Sequence, residues 1–133
     1  MKTIDCNIPP QNHSLPEQQH DPSSLVGILN IDDVEIVDFH SVKNRTPVNS
    51  NVLDFVLEHP ENIPRHWDIA AGIVFIGTSH HDKENGELTH RGLGYLHGEE
   101  KNGLCWFTVH RVKFARDLIF SRNTRYKFAV LKK

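Results

Sequence analysis

The sequence predicts an α+β fold: one helix packed on an antiparallel β-meander, with an additional N-terminal strand and a C-terminal strand. Three observations carry this. From Gly72 onward, β-branched and aromatic runs are separated by Asn85-Gly86 and Asn102-Gly103, each the dipeptide favoured in two-residue hairpin turns. A single short stretch, 51–59, carries an apolar stripe at helical spacing and ends against proline. Finally, Thr124, Tyr126, Phe128 and Val130 alternate with Arg125, Lys127, Ala129 and Leu131, the period of a half-buried strand.

The 133 residues suit one domain, 25–133, preceded by an arm. Residues 1–24 hold Pro9, Pro10, Pro16 and Pro22 among Gln, Asn, His and Ser. So little apolar surface cannot offset the entropy of ordering the chain, so the segment is expected to be an extended or disordered N-terminal arm. After Asp32-Asp33, the run Val34 to Phe39 is β-branched and roughly alternating, a strand. Asn49 or Ser50 can cap the helix, whose stripe is Val52, Leu53, Phe55, Val56 and Leu57, with Asp54 and Glu58 towards water. Pro60 and Pro64 stop it, and the following turn delivers Trp67 to the core or its rim.

Within the meander, two-residue loops would set His81 against His90, Phe75 against Leu96, Leu96 against Val109 and Tyr95 against His110. One face then carries Ile73, Phe75, Leu96, Cys105, Phe107 and Val109, and the other Val74, Ile76, Leu93, Tyr95, Trp106 and Val112. A four-residue loop around Lys83 to Gly86 keeps these faces, whereas a one-residue shift scrambles them. Both faces are partly apolar and one helix covers only one. The other calls for a second layer from residues 25–39 or for self-association. Phe114 to Phe120 reads either as strand or as a helical turn.

The start of the chain leads into no apolar signal segment, and no run is long enough to span a membrane. Cys6 and Cys105 lie in dissimilar contexts and are not expected to bridge, which fits a reducing, cytoplasmic setting. No nucleotide loop, nucleophile elbow or zinc-finger spacing is present. The formal charge of -2 conceals an uneven distribution: -7 over residues 1–68, -2 over 69–109 and +7 over 110–133.

These features lead to a small non-catalytic protein-binding protein of inhibitor, immunity or adaptor type, acting through a sheet face and polarised charge on a partner protein or a second copy. Trp67, Tyr95 and Trp106 are its aromatic anchors, a residue class enriched in interface hot spots. The first alternative is nucleic-acid binding, with Arg111, Lys113, Arg116, Arg122, Arg125 and Lys127 neutralising phosphates beside Phe114, Phe120, Tyr126 and Phe128. Against it, the alternation turns Tyr126 and Phe128 away from Arg125 and Lys127. The second alternative is a small enzyme or a zinc or other transition-metal site on His81 and His90, two of ten histidines, with Asp82 and Glu87 near the same rim. No resident cofactor is expected otherwise.

Overall fold

The computed structural model describes residues 2–7, 15–84, 86–111 and 126–132. Among these residues, eight strands and one α-helix follow in the order β1 (Thr3–Asp5), β2 (Glu17–His20), β3 (Ile28–Asn30), β4 (Val34–Val37), α1 (Ser50–Glu58), β5 (Ile73–His81), β6 (Leu88–Tyr95), β7 (Leu104–Arg111) and β8 (Lys127–Leu131). The fold is α+β. Six strands make the main sheet in the order β4-β8-β5-β6-β7, with β2 paired to the far half of β5; β1 and β3 make a separate two-stranded sheet. Every pairing is antiparallel except β5 with β8.

The helix forms where its stripe and cap predict. Asn49 caps it by accepting from the Asn51 amide at 3.0 Å, and Val52, Leu53 and Val56 are buried beneath it. Pro60 removes the next amide donor and opens a 3-10 turn, so the α-helix closes at Glu58. Trp67 arrives in the core, 5% exposed, and is therefore a packing residue rather than an interface anchor. On the helix side of the sheet lie Ile73, Phe75 and Leu93, with Ile4, Leu29 and Ile31 from the N-terminal elements. On the opposite side Val74, Val109, Phe128 and Val130 gather with Phe39, Val42, Phe107 and Tyr126. In β8, Phe128 and Val130 thus face away from Ala129, as the alternation requires.

The strand register departs from the expected one, and the reason is local. Near the turn, His80 pairs with Thr89 and His81 with Leu88; Asp82 N donates to Glu87 O and Gly86 N to Asp82 O, which closes the longer loop 83–86. Asn85 lies outside the described residues. Further along, Phe75 pairs with Arg91 and Ile73 with Leu93, so β5 bulges between Phe75 and His80. The bulge exists because the Gly77 backbone is bonded elsewhere: its N–H donates to Val48 O at 3.1 Å and its carbonyl accepts from Asp21 N at 2.8 Å. The three extra residues on β5 turn Ile73 and Phe75 to the face of Leu93, Tyr95 and Trp106, and Val74 to that of Phe107 and Val109. The expected grouping within β6 and β7 holds, but β5 is reversed against it.

Asn102-Gly103 is not a two-residue turn either. Tyr95 pairs with Leu104, and the connection is built from two 3-10 turns with His97 and Gly98 at φ 57° and 74°. Leu96 therefore leaves the sheet and stands exposed instead of facing Phe75 or Val109.

In its described part, segment 1–24 is extended and carries two docked strands, β1 and β2. Ile4 and Cys6 are buried, and backbone carbonyls of Asp5 and Cys6 accept from the side chains of Asn51 and Asn49 at 2.8 and 3.0 Å. Residues 25–39 reach the second face through Val37 and Phe39, while β4 joins the main sheet and β3 packs on the helix side. Phe114 to Phe120 and Thr124 lie outside the described residues. No described helix is long and apolar enough to cross a membrane.

Candidate functional site

Five large apolar side chains are exposed among the described residues, and three of them fall within 25–28, the loop leading into β3 and its first residue: Leu25 at 43%, Val26 at 36% and Ile28 at 67%. Scattered exposed apolar residues are ordinary, but a run of them on one short loop is not. The loop is held from below by buried polar groups. Ser24 is fully buried, and its hydroxyl donates to Asp21 O at 2.6 Å. Fully buried Asn49 donates through Nδ2 to Ser24 O at 3.2 Å and to Cys6 O at 3.0 Å, while its Oδ1 caps α1. On the far side of the loop, Cys6 N donates to Gly27 O at 2.9 Å. Gly27 has φ +84°, which L side chains rarely adopt, and this sets the turn between Val26 and Ile28. The apolar tips are thus mounted on a fixed base. Exposed Asp5, the ladder partner of Ile28, and exposed Asp21 flank them.

The predicted aromatic anchors separate. Trp67 is in the core. Tyr95 packs partly buried against the same cluster, and burial, followed by the carboxylates of Glu100 and Asp68, pushes its phenol up. Trp106 is 37% exposed on β7, and the Arg91 guanidinium stands 4.6 Å from its ring centroid. Arg91 itself is buried and bonds Asp54 of α1 at 2.9 and 3.3 Å. The helix and sheet are therefore joined by an ion pair through Asp54, which the helical periodicity had turned towards water. Beside β7, Gly72, Gly94, Tyr95, His97, Cys105, Phe107 and Tyr126 border an open cavity of about 660 Å³.

Of the proposed phosphate-binding stripe, Lys113, Arg116, Arg122 and Arg125 lie outside the described residues. Arg111 ends β7 and Lys127 opens β8, half-buried. The structure does not set His81 and His90 directly across from one another: His81 pairs with Leu88 and Glu17, and His90 with Val109. The His81 ring meets Ser79 Oγ at 3.0 Å, and His90 Nδ1 donates to Thr78 O at 2.9 Å. Both border one open depression of about 260 Å³. Among the described residues, no three His, Cys, Asp or Glu side chains gather to hold a metal ion.

Cys6 and Cys105 are both free. Burial, and then neighbouring Asp5, pushes the Cys6 thiol up to about 11. A thiol-specific reagent at about pH 8 is therefore expected to leave Cys6 unmodified in the folded protein and to label it only on unfolding. Mass spectrometry of the labelled peptides reads this directly, and modification of Cys6 at the rate of a free thiol would contradict it.

The loop was missed in the sequence because Leu25 to Leu29 reads as the apolar start of a folded core. Only the buried serine and asparagine beneath it reveal that three of its side chains point outward. No known protein family, no curated protein and no solved structure matches the chain.

Proposed function

We propose that the chain is a small non-catalytic interaction protein that engages a partner protein through the loop 25–28. The observation that carries this reading is the exposure of Leu25, Val26 and Ile28 on a loop whose backbone is fastened by buried Ser24 and Asn49. Binding costs the ordering of flexible groups at the interface, and a loop already ordered in the free protein avoids much of that cost. Apolar tips on a rigid mount, rimmed by carboxylates, suit a partner surface with an apolar pocket and basic edges. Of the three sequence-derived anchors, Trp106 on its Arg91 platform retains the most exposed surface for a contact.

The test compares the wild-type chain with the double variant Leu25→Ser, Ile28→Ser. Both positions are exposed, so the thermal midpoint should change little, within about 0.5 kcal/mol per site. Recovery of partners by crosslinking from native extract should fall about tenfold or more, as expected when two hot-spot side chains are removed. A variant that recovers the same partners at wild-type yield would overturn the assignment to this loop.

A further inference from the structure

Strand β2 is unusual in what holds it. None of its four residues is buried, so it brings no apolar side chain to the core. Its ladder to β5 pairs Glu17 with His81, Gln18 with His80, Gln19 with Ser79 and His20 with Thr78. The side-chain ties run mainly through two imidazoles. His80, fully buried, donates from Nδ1 to the Pro16 carbonyl at 3.2 Å, just ahead of the strand. His20 meets Thr78 Oγ1 through Nδ1 at 3.0 Å and Gln18 Nε2 through its own Nε2 at 3.2 Å.

Both rings are built for the neutral form. With the His80 proton on Nδ1, the site left to protonate is Nε2, which is buried and has no hydrogen-bond partner among the described residues. With Gln18 donating its amide to His20 Nε2, a second proton there would meet a donor instead of an acceptor. The charges facing these rings add to the penalty. Arg91 stands on the β6 side, with its partner Asp54 on α1; His81 and the two histidines themselves become further cations in acid. Glu17 is occupied by Lys83 at 2.9 Å, and His110 on β7 has Glu87 at 3.3 Å.

We propose that β2 is an acid-released strand, clamped to β5 while His20 and His80 are neutral and detached when they take up protons. Detachment would open the outer edge of Thr78–His81 to another strand. The proposal stands apart from the interaction reading above. Burial lowers the pKa of both histidines from the ordinary 6.5, and for His80 the Arg91 charge adds to this while the Pro16 carbonyl opposes it. The released state therefore binds more protons than the clamped one. The clamp is at full strength above about pH 6.5 and weakens as pH falls from there towards the lowered values. Lys83 lowers the Glu17 carboxyl, so that pair does not titrate across this window.

The experiment is amide exchange and histidine titration by NMR on the full chain. Between about pH 7.5 and pH 5, protection factors of residues 17–20, and of those amides in 78–81 that point to β2, should fall by about tenfold or more, while those of β6 and β7 hold. The double variant His20→Gln, His80→Gln should lose that dependence, and Lys83→Met should keep it. Protection of β2 that ignores pH, a loss spread evenly over the sheet, or a wild-type slope in the double variant would overturn the proposal. Should the double variant not fold, the wild type decides: loss of β2 protection that follows the His20 and His80 titration upholds the clamp, and β2 protection that survives their protonation refutes it.

Discussion

Gly77→Ala is expected to destabilise the protein by about 4 kcal/mol. A Cβ at this position would stand 2.7 Å from Ser24 Cβ and from the carbonyl carbon and oxygen of Val48. None of these is the yielding end of a long side chain, so backbone has to move. The movement would strain the bonds from Gly77 N to Val48 O and from Asp21 N to Gly77 O, which hold the β5 bulge to the strap before α1 and to the segment after β2. Overpacking alone costs about 1–3 kcal/mol, and each weakened hydrogen bond about 1 kcal/mol more. For a chain of this size the thermal midpoint should drop by roughly 10 °C or more. Gly98→Ala is the comparison: nothing lies within 4 Å of its added Cβ, but its φ is +74°, so only the backbone penalty of about 1 kcal/mol applies. Equal losses in the two variants would show that the close approach at Gly77 is not what matters.

Asn49→Ala should cost about 3 kcal/mol, in three parts that separate experimentally. About 1 kcal/mol is the helix cap to the Asn51 amide, and the rest comes from leaving the Ser24 and Cys6 carbonyls without their donor. Asn49→Ser restores a capping oxygen but not the two donors, so it should recover only about 1 kcal/mol in urea unfolding. The same pair of variants bears on binding. Both lack the tie to Ser24 O, so both should weaken the partner contact of loop 25–28 even where the folded population is complete. A serine variant that regains full stability and full binding would show that the asparagine acts only as a cap.

The elements that were legible in the sequence are those whose side chains carry a period. The stripe from Val52 to Leu57 and the proline after His59 located α1, and the alternation from Tyr126 to Leu131 located β8 with its faces. The Val34 to Phe39 run located β4. What stayed hidden depends on backbone atoms. Asn85-Gly86 and Asn102-Gly103 advertise turns but not their length, and the bulge at Gly77 arises from Val48 and Asp21, distant in sequence and silent in any periodicity. The docking of residues 3–7 is hidden for the same reason, because the carbonyls of Asp5 and Cys6 accept from Asn51 in the first turn of α1 and from its cap Asn49. At the candidate sites, histidine count suggested ligands. The suggested pair was His81 and His90, whose rings meet the Ser79 hydroxyl and the Thr78 carbonyl, while the bonds of His80 and His20 to Pro16 and Thr78, which no count could suggest, tie β2 to β5.

The position of β8 sets the order in which the main sheet can be completed. It lies between β4 and β5, antiparallel to the first and parallel to the second. Before residues 127–131 leave the ribosome, β4 has no neighbour in the main sheet, and the edge of β5 at Ile73 and Val74 stands unpaired. A nascent chain of this protein therefore carries open strand edges on β4 and β5 until residues 127–131 emerge, and those edges are where a chaperone would have most to protect.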